Sequence, residues 1–122
     1  MKLGDAFTMA VPPNFDVPHL FFVISDPAKN GGSFVVVNIT TNHIRAGREC
    51  VLIKGDHEWI NQDSFVTFRD AREISAKMAI SLNSLIGTKV QIKSPLKLDI
   101  LAKIVEAAKH SKSIPIGLKK YL

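Results

Sequence analysis

The chain has 122 residues, 46% of them hydrophobic and 22% charged, with a formal net charge of +5. That suits one domain with its own core and excludes intrinsic disorder. The longest purely apolar run is Leu20–Ile24, far short of a bilayer span, and a single cysteine, Cys50, excludes an intrachain disulfide.

A reducing cytoplasm is therefore expected, with no membrane contact and no secretory leader on Met1-Lys2-Leu3-Gly4-Asp5. The charge is unevenly divided. Residues 1–76 carry seven Lys/Arg against nine Asp/Glu, net −2, whereas residues 77–122 carry nine Lys against two acids, net +7. Such asymmetry points to a polyanion or an acidic partner, or to a solvated lysine face.

In chain order, Gly4–Val11 alternates loosely and reads as a strand, stopped by Pro12-Pro13. Asn14–Pro18 reads as a loop. His19–Ser25 is a continuous apolar, aromatic-rich run, which predicts a buried strand. Asp26–Gly32 is a turn with Asn-Gly and Gly-Gly in succession, and Ser33–Thr41 is the next strand, so the two runs form an antiparallel hairpin. Asn42–Glu49 reads as a loop, Cys50–Ile53 as a short strand, and Ser64–Ile74 as one longer strand. Ala76–Ile86 suits a short helix and Lys89–Lys93 a half-buried strand.

Ser94-Pro95 carries a helix-start signature, and Leu98, Leu101, Val105 and Ala108 then share one face. The expected architecture is mainly β with α: a small antiparallel barrel with a C-terminal helix, spanning residues 1–110, followed by a basic tail over 111–122.

No glycine-rich phosphate loop is present. Cys50, Asp56, His57 and Glu58 lack the spacing of a structural zinc site, so neither metal nor cofactor is expected. What remains is a set of polar residues at strand ends. His19 precedes one strand, Thr40 and Thr41 end the next, Asp56-His57 fills a turn, Ser64 opens a strand, and Arg69 and Arg72 close it. On one curled sheet these ends can share a rim. Histidine and arginine together suit metal-free phosphodiester cleavage, because RNA brings its own nucleophile, the 2′-hydroxyl. In that reading His19 and His57 are base and acid, Arg69 or Arg72 stabilises the phosphate, and Thr40, Thr41, Asp56 and Ser64 hold substrate. The structural alternatives are strand-edge, turn and surface-pairing roles for the same residues, with Trp59 at the core edge or in an interface.

The order of segments resembles the MazF/PemK family of toxin-antitoxin toxins. His19–Ser25 resembles that family's Arg-Pro-hydrophobic-Val-Ile-Ser strand, and Val35–Thr41 its Val-Val-x-Pro-Ile-Thr-Ser strand. Asp63–Val66 is similar to its Asp-Ser-Val-Val, and Ala71–Ile74 to its hydrophobic-Arg-Thr-hydrophobic. His19 stands where the family's ribonucleases usually carry arginine, and Arg69 where many members carry aspartate. The resemblance implies an SH3-like barrel, metal-independent cleavage of single-stranded RNA, a homodimer and a small acidic antitoxin. Two other readings stand beside it: a non-catalytic interaction module on the same barrel, and a barrel that poisons a protein target such as a topoisomerase.

Overall fold

The computed structural model describes residues 1–12 and 14–122, with the side chains of Asn14 and Asp16 outside the description; the predicted stop at Pro13 falls outside it too. Seven strands, all paired antiparallel, form one sheet: β1 (Ala6–Val11), β2 (Asn14–Val23), β3 (Phe34–Thr40), β4 (Val51–Leu52), β5 (Ser64–Val66), β6 (Arg72–Ile74) and β7 (Val90–Lys93). The order is β4-β5-β3-β2-β1-β7, with β6 also on β3. The expected mixture of antiparallel sheet and C-terminal helix is present. The barrel itself is not confirmed: among the described residues no ladder joins β4 to β7, so the sheet is not closed.

Helix α1 (His43–Ala46) lies in the segment expected to be a loop, α2 (Ala76–Ser84) follows β6, and α3 (Leu98–His110) follows β7. No helix among the described residues is long and apolar enough to cross a membrane.

Side-chain alternation gives the sheet two apolar faces. Leu20, Phe22, Ile24, Val35 and Val37 point to one face, where Ile100, Leu101, Ile104 and Ala108 of α3 cover them. Phe7, Phe21, Val23, Phe34 and Val36 point to the other, where Leu82 of α2 covers them. Phe7 and Phe21 stack there with ring centroids 5.4 Å apart. Burying each such side chain stabilises the fold by roughly 1.5–3 kcal/mol. Gly32 ends the β2–β3 turn with φ +92°, a left-handed backbone; a Cβ there would stand 3.0 Å from that of Ala76, so only glycine seats the turn against the start of α2.

Three further sequence readings change. Asn14–Pro18 is strand rather than loop, because it extends the hairpin with β1; Pro18 pairs with Ala10 and lies beyond the β2–β3 ladder, where its missing N–H costs no sheet bond on that side. Ser64–Ile74 is two strands. β5 and β6 pair with the same strand, β3, but Val66 opposes Ile39 whereas Arg72 opposes Val36, a register offset of three residues. The surplus loops out as a 3-10 turn at Phe68–Asp70, whose Phe68 anchors in the core. Helix α3 begins after Lys97 rather than Ser94, since the Ser94–Leu96 backbone is held by tertiary bonds: Ser94 N–H to Glu58, and Leu96 N–H to Gly4 O at 2.8 Å. Leu98 is consequently exposed, and Ile100 and Ile104 lead the buried stripe.

Residues 111–122 are also not a loose tail. Ser111 and Ile114 are buried, and Leu118, Tyr121 and Leu122 pack on the core through a 3-10 helix, Ile116–Tyr121. The Tyr121 hydroxyl bonds to Glu73, which pushes its pKa up. Glu49 is the latch: its carboxylate accepts from Ser111 Oγ at 2.7 Å and Lys112 N at 2.8 Å. Burial pushes the Glu49 carboxyl up, but the bonds from Lys112, Ser111 and Ser113 and the charge of Lys119 outweigh it and hold it below the ordinary 4.5. A depressed folded-state pKa means that the latch acts fully above the ordinary carboxylate range and is lost as pH falls through the lowered value. The protection factors of residues 111–122, taken against the intrinsic exchange rate at each pH, are therefore expected to fall at acid pH, and in Glu49→Gln to be low already at neutral pH; equal protection in both proteins would refute the latch.

The lysines of α3 and its approach serve as tethers. Lys97 Nζ donates to Gly55 O at 2.8 Å and Lys103 Nζ to Val51 O at 2.5 Å. Part of the basic excess of the last third is thus spent on holding α3 to the β4 region.

Candidate functional site

The face of the sheet covered by α2 is only half covered. Beyond Phe21 and Val36 the same face continues as His19 on β2 and Asn38 and Thr40 on β3, and it opens to solvent there. The β2–β3 ladder ends at Phe21 opposite Asn38, and His19 and Thr40 lie just beyond it, lining the same cavities.

His19 and Thr40 lie on the boundary of two cavities and line both. The first has a volume of about 330 Å³ and is walled by Asn38, Arg45, Thr67, Asp70 and Arg72. The second, about 590 Å³, is walled by Thr41, Glu58, Trp59, Asn61 and Ser64 together with Val17 and Pro18 of β2.

The three-residue excursion between β5 and β6 builds the first cavity. It keeps Thr67 N–H on Asn38 O at 2.8 Å, then turns Asp70 toward α1 and returns Arg72 to the edge of β3. Asn42 caps α1, accepting from the Ile44 and Arg45 N–H groups, and so aims Arg45 back at the excursion. Arg45 Nη2 and Asp70 Oδ2 pair at 2.8 Å, and Arg69 Nη1 donates to Arg45 O at 3.1 Å. Arg72 forms no ion pair among the described residues. Thr67 is 1% exposed, and its Oγ1 has no hydrogen-bond partner among the described residues although it lines the cavity. A buried hydroxyl without a partner is uncommon and marks a place where a ligand oxygen or a water completes the bonding.

The chain holds four arginines, all within residues 45–72. Arg45 and Arg72 line the cavity, Arg69 braces Arg45, and Arg48 lies over the Phe65 ring at 5.5 Å. Dividing the net charge at residue 76 hides this cluster, because the acids of residues 1–76 outnumber its basic residues; the restriction of arginine to one stretch is the sequence signal that could have revealed it.

The second cavity is shaped by the turn after β4. Asp56 Oδ2 accepts from Ile53 N–H at 2.9 Å and closes that turn. The Glu58 carboxylate then accepts from Ser94 N–H at 2.9 Å, and the Ser94 backbone and hydroxyl bonds hold its carboxyl below the usual range. Trp59 stands beside it, 41% exposed, as the only tryptophan of the chain. Ser64 is buried and donates its Oγ–H to Gln62 O at 3.0 Å.

Five of the eight residues singled out by sequence thus converge: His19, Thr40, Thr41, Ser64 and Arg72. Arg69 stands behind the first cavity as a brace, not in it. Asp56 is a turn residue and lines neither cavity.

His57 is the main correction. It is 4% exposed, and its ring meets the Phe22 ring edge-on at 5.7 Å, on the sheet face opposite that of His19. Trp59 N–H donates to Nδ1 at 3.1 Å, so Nε2 carries the hydrogen and donates to Ser94 O at 2.6 Å. With both nitrogens bonded inside the fold, His57 has none left for a substrate. It ties the β4 turn to the segment before α3. Cys50 is likewise structural: burial pushes its thiol up, away from the nucleophilic thiolate.

No protein-family model matches this chain, and neither does any curated protein.

Proposed function

We propose that this protein is a metal-independent endoribonuclease of the cytoplasm that cleaves single-stranded RNA, with toxin-like action held in check by a small acidic partner. The observation that carries the reading is the His19–Thr40 pair at the junction of an arginine-lined cavity and a tryptophan-lined one. The first suits a phosphate: Arg72 offers a planar set of donors, and the Thr67 hydroxyl lacks a partner among the described residues. The second suits an unstacked base.

His19 takes the proton of the ribose 2′-hydroxyl, whose oxygen attacks the adjacent phosphorus. The bond from phosphorus to the 5′-oxygen breaks, and that oxygen takes a proton from water in the open cleft. The products are a 2′,3′-cyclic phosphate and a 5′-hydroxyl end. Arg72 and Thr40 donate to the phosphate oxygens, where negative charge gathers.

The test is incubation of the purified protein with mixed single-stranded RNA in EDTA. Cyclic-phosphate ends are expected. Intact RNA would refute the nuclease. The withdrawal of His57 leaves one imidazole at the rim and favours a second reading, an RNA-binding module on the same cleft. That module would retain the RNA uncut. In either case affinity is expected to fall steeply as salt rises, because phosphate contacts release counterions, and a flat response would point to a protein partner instead. An acidic partner laid over Arg45 and Arg72 would block the same cleft. A homodimer, if formed, would be seen by sedimentation.

A further inference from the structure

We infer that the Trp59 cavity is a guanine-selective base pocket, in which the base stacks on the Trp59 ring and the Glu58 carboxylate reads its Watson–Crick edge. The inference rests on the reading of the cleft as a site for single-stranded RNA, and it names what that reading leaves open, the base that is preferred.

The chemistry is one of donors and acceptors. A carboxylate only accepts. Guanine alone among the four bases presents two neighbouring N–H donors, N1–H and the 2-amino group, on that edge. Adenine and cytosine each offer one amino group beside a ring-nitrogen acceptor, which a carboxylate repels. Uracil offers one N–H between two carbonyls.

Glu58 is prepared for this task. One oxygen, Oε1, is fixed by Ser94 N–H at 2.9 Å, which sets the orientation of the group and leaves lone pairs on both oxygens for a base. The Ser94 bonds also keep the group ionised further into the acid range. Trp59, 41% exposed, lines the cavity, and Val17 and Pro18 add apolar surface to the same lining. A volume of about 590 Å³ accommodates a nucleotide. His19 and Thr40 join this cavity to the phosphate side, so a base seated here places its own backbone at the imidazole.

Because Trp59 is the only tryptophan, its fluorescence reports on this cavity alone. The probes are GMP, AMP, CMP, UMP and IMP, titrated against the full chain. GMP is expected to quench Trp59 with a Kd about tenfold or more below those of AMP, CMP and UMP, the discrimination of a good two-bond base contact. IMP, which lacks the 2-amino group, should fall between. Glu58→Gln keeps an oxygen for Ser94 N–H but replaces an acceptor with a donor, and it should abolish the preference for GMP. Equal quenching by all five nucleotides, no quenching by any, or an undiminished GMP preference in Glu58→Gln would overturn the pocket.

Oligonucleotides with and without guanine separate this result from the nuclease reading. Equal cleavage of both keeps the nuclease and overturns the pocket. Selective quenching by GMP with no cleavage of either keeps the pocket and overturns the nuclease.

Discussion

His19→Ala is expected to lower RNA cleavage by about 10²–10⁴-fold, the usual contribution of a positioned general base, while the thermal midpoint stays where it is. The two halves of that result have separate causes. His19 is half-buried at the mouth of both cavities and belongs to neither apolar cluster, so its removal opens no void in the core. Yet it is the imidazole that the fold brings to the arginine-lined cavity. Arg72→Ala should cost about 10²–10³-fold, as loss of a donor to a developing phosphate charge does, and Arg72→Lys should recover part of the loss because it restores charge without the planar fork. Cleavage kinetics on one defined oligonucleotide, with calorimetry on the same preparations, read both effects. A His19→Ala protein that cuts RNA at the parent rate would sink the assignment of this cleft.

The opposite pattern is expected at the other histidine. His57→Ala should destabilise the fold by roughly 3 kcal/mol or more, since it removes a buried ring from Phe22 and leaves Trp59 N–H and Ser94 O without partners. Against a total stability of about 5–15 kcal/mol this is a large share, and the melting midpoint should drop by about 10 °C or more. Cleavage per folded molecule should stay close to that of the parent. The contrast separates a tie inside the fold from a group that handles protons. A His57→Ala protein that melts normally but cuts RNA slowly would restore the two-histidine mechanism.

The two histidines look alike in the sequence. Each stands next to an apolar strand or in a polar turn, and each has a nearby acid or hydroxyl. What distinguishes them is the sheet face each serves. His19 lies on β2 with the parity of Phe21, on the half-open side. His57 folds back across the opposite face onto Phe22, and the Ser94 carbonyl that meets it lies 37 residues further along the chain. No local pattern carries a bond of that span. The same holds for the strand expected over Ser64–Ile74. Its residues are good strand formers throughout, and the three surplus residues exist only relative to β3, the strand they pair with. That surplus carries Asp70 to Arg45 and Arg72 to the edge beside Asn38, and so makes the first cavity.

Other elements were legible because their cause is local. The hairpin of β2 and β3 follows from two apolar runs around a glycine-rich turn; α2 was legible only as a stretch that suits a short helix before Gly87, and the structure adds its Ser75 cap, whose Oγ accepts from Met78 N–H. Most of α3 follows from its apolar period. Its first turn does not, because tertiary bonds claim the Ser94–Leu96 backbone before the helix can use it.

From its residues alone, then, this protein is a mixed β and α domain with an antiparallel sheet, a late amphipathic helix and polar groups at its strand ends, because period, turn chemistry and capping act over a few residues. Whether the sheet closes, which histidine meets solvent, how the arginines gather and where residues 111–122 lie were decided by tertiary structure. Register between strands, burial and bonds between distant segments are properties of two partners at once, and neither segment carries them by itself.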